Sequence, residues 1–420
     1  MENIRTMECL EHIRLRASMY IGRIGNGDSP CDGIYTILKE IIMNSIDEHQ
    51  AGWGKSIVLD IQDNRVKVRD FGRGIPFDKV FRASTDPMMG GRYDSVEYKK
   101  TVGLNGLGLK VTNALSKHFM ITSYRSGEYM SLTFSKGDLI RSDKGQTSER
   151  DGLYVEFVPD SEILNEYAFR MDILKDIVNE YCCLHKGLAN TLNGVEFISK
   201  NGLLDLVNDN LSEEPLYPPI YLSGEDIDVV ITHGTGYGES YYSFVNGQYT
   251  PQGGTHQAAF RASVAKVVKE FFKKDYDPSD VRTSIIAAVS VRMNDPVFES
   301  QTKIRLGSKE QAPGVSMQQF VNDFLSVNLD NYLHKHSETV QIMQKKIAEN
   351  EKARKAISGI QKKAREVAKK VAVNNRKLRD CKVHLTDSKN PLAEKTMIFI
   401  TEGNSASGSI TSSRDPRTQA

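Results

Sequence analysis

The stretch KEIIMNSIDE at residues 39–48 places two carboxylates and an amide on one side of a helix. It lies within residues 33–49, whose isoleucines and leucine recur at spacings of three and four, a pattern that predicts an amphipathic helix. Glu40, Asn44 and Asp47 stand at positions i, i+4 and i+7, so they project from one face. A polar helix face is more often simply solvated, and this segment alone does not decide between a solvated surface and a site.

Two glycine-rich segments follow. In RDFGRGIP (69–76), Asp70 ends a predicted strand, where its carboxylate can accept hydrogen bonds from an exocyclic amine while glycines let the backbone approach a flat ring. In GLNGLGLK (103–110), glycines precede an apolar helix, so backbone N–H groups can gather around phosphate oxygens. The spacing fits neither a Rossmann fingerprint nor a P-loop. Taken singly, the Asp70 segment is more typical of an ordinary turn than of a binding site.

In this order the three segments resemble the nucleotide-binding boxes of the GHKL ATPases. Further motifs narrow the resemblance to the B subunits of type IIA DNA topoisomerases. These are MYIG (19–22), NSIDE (44–48), GRGIP (72–76), GGTH (253–256), QTK (301–303) and EGNSA (402–406). Such matches extend from about residue 8 to the last residue, and the segments 103–109 and 298–303 are more similar to topoisomerase IV than to gyrase.

The resemblance implies an α+β fold in three parts. A GHKL, or Bergerat, ATPase sandwich is expected at 1–210, and a transducer domain with a left-handed βαβ crossover and long basic helices at 211–385. The start of a truncated TOPRIM domain is expected at 386–420. A polar, proline-containing stretch at 203–224 independently suggests the first boundary.

Local patterns predict individual elements within these parts. Strands are predicted at 56–62, 65–70, 130–134, 153–158, 227–232, 241–246, 284–291 and 396–400, the last of the buried type. Helices are predicted at 169–184, 257–273 and 338–378. The glycine-rich residues 71–108 are predicted to form loops rather than core.

The resemblance also implies roles for individual residues. Glu40 would be the general base that activates water, and Asn44 would ligate the Mg²⁺ ion that bridges the phosphates. Asp70 would bind the adenine amino group, and Lys303, from the second domain, would reach the terminal phosphate. The other residues expected to contact ATP are Gly74, Ile75, Tyr98, Gly103, Leu104, Asn105, Gly106, Leu107, Gly108, Leu109 and Gln301.

Several positions depart from the family pattern. Met43 replaces an acid before Asn44, and Leu153 stands where a threonine normally helps to hold adenine. Glu402 matches the catalytic acid of a TOPRIM metal site, but Asn404 replaces a second acid and no later acidic pair follows. One carboxylate cannot hold that metal, so this chain is not expected to cleave DNA. The tyrosine-bearing arm that crosses to a partner protomer is largely missing as well.

Charge is unevenly distributed along the chain. The formal net charge is only +1, from 55 Lys and Arg against 54 Asp and Glu, yet residues 341–382 hold fourteen basic and four acidic residues. Such a helix is often merely solvated, but the excess of one sign favours salt-sensitive, sequence-independent contact with double-stranded DNA.

Composition excludes a membrane protein and indicates a cytoplasmic one, and the family resemblance implies that it associates with the nucleoid. No apolar run approaches the length that spans a bilayer, and the N-terminus lacks the apolar stretch of a signal peptide. The five cysteines include no C-x-x-C pair and have no histidines at metal-ligand spacing, so they are expected to be reduced, mostly buried thiols.

The resemblance implies that ATP closes a homodimer of these chains around a DNA duplex and that hydrolysis reopens it. A topoisomerase A subunit would be a further partner. Two alternatives remain open at this point: a chaperone-type or mismatch-repair-type GHKL ATPase, and a non-cleaving DNA-binding or regulatory fragment.

Overall fold

The structure, a computed structural model, describes residues 8–87, 106–373 and 379–420. The chain forms two compact units, residues 1–347 and 348–420. In the described residues, no helix is both long enough and apolar enough to cross a membrane.

A mixed sheet of eight strands forms the first part of the larger unit. The strands are β1 (Ser56–Gln62), β2 (Arg65–Asp70), β3 (Ser116–Arg125), β4 (Glu128–Ser135), β5 (Asp138–Gln146), β6 (Gly152–Pro159), β7 (Ala189–Leu192) and β8 (Val195–Phe197). Their order is β5-β4-β3-β6-β2-β1-β7-β8, and among these described strands only β1 and β7 pair in parallel. Asp63 and Asn64, with φ of 47° and 61°, form the tight turn between β1 and β2.

Helices accompany this sheet and share its core. They are α1 (Cys9–Leu15), α2 (Ala17–Ile21), α3 (Gly33–Gln50), α4 (Phe77–Thr85), α5 (Gly108–Ala114), α6 (Ser161–Leu164) and α7 (Met171–Leu184). The apolar residues that predicted α3 are all buried, in one cluster with the inward residues of β1 and β2. Burying each such side chain stabilises the fold by roughly 1.5–3 kcal/mol. This packing leaves Glu40 and Asn44 half-buried on α3.

A second sheet follows α8 (Leu203–Asp209). Its strands are β9 (Ile220–Ser223), β10 (Ile227–His233), β11 (Ser240–Val245), β12 (Gln248–Tyr249) and β13 (Ile285–Val291), in the order β12-β11-β13-β10-β9. After the short hairpin strand β12, the chain returns to β13, the parallel neighbour of β11, through α9 (Thr255–Phe272) and α10 (Pro278–Arg282). This is a βαβ connection, and its left-handedness stays a prediction.

The larger unit ends with a small hairpin and two helices. Strands β14 (Glu310–Ala312) and β15 (Val315–Ser316) precede α11 (Met317–Lys335), which packs against α9. Helix α12 (Ser337–Val373) begins in this unit and continues into the smaller one.

The smaller unit corrects one prediction. Residues 396–400 do not form a buried strand: Met397 makes an isolated bridge to Gln419, and Ile400 is 91% exposed. The apolar run is therefore on the surface of this unit, which otherwise contains a 3-10 turn (Ala393–Lys395) and α13 (Asn404–Ser413).

The α+β class is confirmed, as are the elements predicted before residue 300, whose bounds agree within two residues. The prediction that 71–108 forms only loops is wrong, because α4 forms in a stretch free of glycine and proline. Strands β3 and β5 were not predicted; every residue of β5 is at least partly exposed, so it shows little apolar alternation. The domain bounds at 210 and 385 stay predictions.

Candidate nucleotide site

An ion pair between distant parts of the chain lies at the centre of the candidate site. Lys303 Nζ lies 2.9 Å from Glu40 Oε1, although the two residues are 263 positions apart. The side chains are only 14% and 23% exposed, so solvent screens the pair less than it would on an open surface. The structure thus brings together the acid of the first box and the lysine of the QTK motif.

Gly108 allows the Glu40 carboxylate to lie against the start of α5. A Cβ built at Gly108 would be 2.5 Å from Glu40 Oε2, closer than any real Cβ contact. The first residues of a helix present free N–H groups and partial positive charge. The carboxylate and the segment expected to hold phosphates are therefore immediate neighbours.

Asp70, at the end of β2, is held by three donors. Its Oδ1 accepts from the backbone N–H groups of Gly72 (3.0 Å) and Leu153 (3.1 Å), and its Oδ2 accepts from Ser45 Oγ (3.0 Å). Asp70 is 5% exposed. Burial raises the pKa of its carboxyl above the usual value, and the three hydrogen bonds oppose that shift. The fixed carboxylate retains acceptor capacity for an amine donor.

The loop after Asp70 needs glycine at position 74. Its φ is +65°, and a Cβ there would lie within 2.9 Å of Ser123 Oγ and of the Tyr124 and Gly152 carbonyl oxygens. Next to it, the Ile75 N–H donates to Ser123 Oγ at 2.9 Å. The backbone of this loop is consequently pressed against β3 and β6.

An ion pair between Arg73 and Glu48 connects the same loop to α3. Arg73 donates from its backbone N, Nε and Nη2 to the two carboxylate oxygens of Glu48, each at 3.1 Å. Arg125 Nη1 donates to the carbonyl oxygens of Arg73 and Gly74. Paired donors of this kind fix orientation as well as distance.

The segment that carries Lys303 is anchored to both cores. Phe298 packs against the core of the first sheet and against that of the second. Thr302 Cγ2 lies so close to Gly22 that a Cβ at that glycine would be 2.8 Å away. Lys303 itself has φ of +56°, a conformation that costs free energy for a residue other than glycine and is concentrated at functional sites.

The other predicted residues fall into three groups. Asn44 lies one turn beyond Glu40 on α3, Gly106 and Leu107 lead into α5, Leu109 is in its first turn, and Gln301 is in the Lys303 loop. Tyr98, Gly103, Leu104 and Asn105 lie outside the described residues. Glu402 is exposed and belongs to the smaller unit.

Two family models match the chain. The model of histidine kinase-, DNA gyrase B- and HSP90-like ATPases matches residues 31–157, and the model of DNA gyrase B matches residues 195–367. Among individual proteins, the B subunit of DNA topoisomerase 4 from Borreliella burgdorferi is 44% identical over 418 residues, which are 99% of this chain and 69% of that protein. The chain belongs to the family of type IIA DNA topoisomerase B subunits.

Other members of the family agree. The B subunit of DNA gyrase from Staphylococcus epidermidis is 33% identical over 99% of this chain and 68% of its own length. The 43K ATPase domain of Thermus thermophilus gyrase B has 26% identity and a TM-score of 0.61, covering 87% of this chain and 99% of that one. The ATPase and transducer domains of DNA topoisomerase II from Balamuthia mandrillaris give a TM-score of 0.68 at 21% identity and share the fold.

The family membership confirms the GHKL ATPase fold and identifies the chain as an ATP-binding ATPase region of a topoisomerase B subunit. These relatives favour this assignment over the chaperone-type and mismatch-repair alternatives.

Some residues of the site were not singled out from the sequence. Ser45 and Glu48 lie within the first motif, and their partners Asp70 and Arg73 lie in the second, so the motifs contained the signal. No sequence signal marked Ser123, because a serine in a strand that was not predicted stands in no distinguishing pattern.

One further group was missed outside this site. Cys381 and His384 stand at C-x-x-H spacing, contrary to the expectation that no histidine does. The five cysteines are free thiols, as expected, but only Cys182 and Cys183 are buried, so the prediction that most of them are buried is wrong.

Proposed function

We propose that this chain hydrolyses ATP between Glu40 and Lys303, with Asn44 and Asp70 holding the nucleotide, and that turnover controls the capture of a DNA duplex. The observation that carries the proposal is the 2.9 Å contact between Lys303 Nζ and Glu40 Oε1. It supports a site to which both sheets contribute, as a nucleotide-controlled closure requires.

Glu40 is the proposed general base. Its carboxylate lies beside the first residue of α5, where a terminal phosphate would meet free N–H groups. A carboxylate at that position can orient a water molecule toward the phosphorus and accept its proton. The charge-assisted hydrogen bond from Lys303 fixes the direction of the carboxylate.

Asn44 is the proposed Mg²⁺ ligand. Its amide oxygen and the Glu40 carboxylate stand one helical turn apart on the same face, and hard oxygen ligands of this kind fit Mg²⁺, which keeps most of its waters. When bound, Mg²⁺ would neutralise charge on the phosphate oxygens. Through that ion, Asn44 would position the phosphates next to the Glu40 carboxylate.

Asp70 is proposed to select the base. Two N–H donors saturate Oδ1 and one hydroxyl occupies part of Oδ2, so acceptor capacity remains on Oδ2. The amino group of adenine would donate to it, whereas the carbonyl of guanine would oppose it. With Leu153 in place of a hydroxyl-bearing residue, the Leu153 backbone N–H and Ser45 hold the carboxylate.

Lys303 is proposed to sense the terminal phosphate. Its amine is paired with Glu40 here, and a phosphate carrying more charge than one carboxylate would compete for it. Because Phe298 contacts both cores, a shift of the Lys303 loop would be transmitted to the second sheet. If bound ATP shifts the equilibrium between two arrangements of the sheets by some factor, the change of arrangement must alter the affinity for ATP by that same factor.

The partners of the site are proposals of the same kind. Two copies of the chain would close around a DNA duplex, a topoisomerase A subunit would supply strand cleavage, and the basic residues of α12 would contact phosphates. Those residues lie within the 341–382 region of +10 formal charge.

ATP turnover tests the proposal most simply. Phosphate release by the wild-type chain is expected to be slow, dependent on Mg²⁺ and lost in Glu40→Gln, while ATP binding persists. Glu196→Gln, an exposed exchange on β8, is the matched control and should turn over normally. Undiminished turnover by Glu40→Gln would overturn the assignment, and a wild-type chain that binds DNA without hydrolysing ATP would instead favour a regulatory fragment.

A further inference from the structure

The segment that follows α12 brings three different metal-binding side chains together in the smaller unit. Asp380 Oδ2 and His384 Nε2 are 3.1 Å apart, and the ligand atoms of Asp380, Cys381 and His384 all lie within 4.8 Å of one another. One carboxylate, one thiol and one imidazole are therefore close enough together to reach the same ion. Nothing in the proposed ATPase mechanism uses them.

Backbone hydrogen bonds fix this segment before any ion arrives. Lys382 N donates to the Pro416 carbonyl at 3.0 Å, and Val383 N donates to the Arg417 carbonyl at 2.9 Å. The Val383 side chain is buried. Ligands carried on a tied segment lose less conformational entropy when they bind a metal.

Local hydrogen bonds also orient the ligands. The Cys381 N–H donates to Asp380 Oδ1 at 2.8 Å, which leaves Oδ2 directed at His384. The Cys381 thiol is half-buried and lies 3.0 Å from the Val383 carbonyl oxygen. Metal binding would exchange that weak S–H contact for a bond from the thiolate, with release of the proton.

A simpler explanation is a surface Asp–His pair beside an unrelated thiol. An exposed pair of this type contributes about 0–1 kcal/mol and does not require a sulfur atom nearby. In a tetrahedral site with bonds of about 2.0–2.3 Å, ligand atoms lie roughly 3.3–3.8 Å apart. Small rotations of the side chains would bring the three atoms from their present separations into that range.

We propose that Asp380, Cys381 and His384 bind a divalent transition-metal ion of the zinc type, with a fourth position left to water. The thiolate and the carboxylate together balance the charge of a divalent ion, and the imidazole adds a neutral donor. Sulfur and nitrogen ligands favour this class over Mg²⁺ and Ca²⁺, which take oxygen. Because all three ligands lie within residues 380–384, the ion would stabilise the conformation of this short segment.

Titration of the reduced 420-residue chain with Co²⁺ tests the site, because only a thiolate ligand produces sulfur-to-cobalt charge-transfer absorption. The wild type should show this band with one equivalent, and Zn²⁺ should remove it. Cys381→Ser should abolish the band, and His384→Ala should weaken binding at least tenfold.

Cys31→Ser is the matched control, because Cys31 is an exposed thiol distant in sequence from Cys381. This variant should retain the full absorption band. Melting curves without metal establish that each variant is folded. A wild type without the band, or a band that survives in Cys381→Ser, would overturn the proposal. The test does not involve ATP, so its outcome is independent of the ATPase assignment.

Discussion

Gly108→Ala tests whether the position of the Glu40 carboxylate controls the rate of ATP turnover. The new Cβ would lie 2.5 Å from Glu40 Oε2, whereas ordinary contact begins at 3.4 Å. The carboxylate must therefore move by the difference, about 0.9 Å. A misplacement of about 1 Å at a catalytic group costs roughly 10²-fold in rate, which corresponds to about 2.7 kcal/mol in the barrier.

The assay is steady-state phosphate release over a range of ATP concentrations. Alanine is a better helix former than glycine, so the variant should remain folded while kcat falls about 100-fold. Gly236→Ala is the matched control, because no atom lies within 4 Å of its added Cβ. A folded Gly108→Ala chain whose kcat stays within roughly threefold of the wild type would refute the reasoning.

Three other predictions concern binding, stability and DNA contact. Ser45→Ala removes one hydrogen bond from buried Asp70 and should weaken ATP binding about tenfold in calorimetry; unchanged affinity would contradict it. Burial lowers the pKa of His185 to about 3 and of His233 to about 4. Because the pKa of each histidine is lower in the folded than in the unfolded chain, its contribution to the free energy of unfolding is fully present above about pH 6.5. On acidification below that pH, the free energy of unfolding should fall by up to about 1.4 kcal/mol per pH unit per histidine. Denaturant midpoints at pH 7 and pH 5 measure this, and a flat profile would count against it. Exchanging Lys362 and Lys363 for glutamine should remove about two phosphate contacts and so reduce the slope of log affinity for DNA against log salt concentration by about two; an identical slope would exclude these two lysines as DNA contacts.

Local sequence patterns predicted much of the fold. The apolar period of α3 and the alternation in β1 and β2 were sufficient, because each element buries one face against the same core. The turn at Asp63 and Asn64 was predictable for a local reason too, since these residues tolerate positive φ. Strand β5 was not predictable, because an exposed edge strand buries no face.

The composition of the site depended on tertiary contacts that no spacing encodes. Glu40 and Lys303 are far apart in the chain, and only the family resemblance linked them before the structure placed them 2.9 Å apart. The sequence alone identified Glu40 as part of a polar helix face, but the contact of Glu40 with Gly108 depends on how α5 packs. The prediction of a buried strand at 396–400 was wrong, because an apolar run does not by itself ensure that another surface packs against it.

The measurement that tests the central claim most directly is the affinity of Lys303→Met for a non-hydrolysable ATP analogue and for ADP, determined by calorimetry. If Lys303 reaches the terminal phosphate from the second sheet, the variant should lose affinity for the analogue at least tenfold and bind ADP as the wild type does. Lys309→Met, an exposed exchange nearby, should change neither. Equal affinity of Lys303→Met and wild type for the analogue, or an equal loss for both nucleotides, would contradict the account.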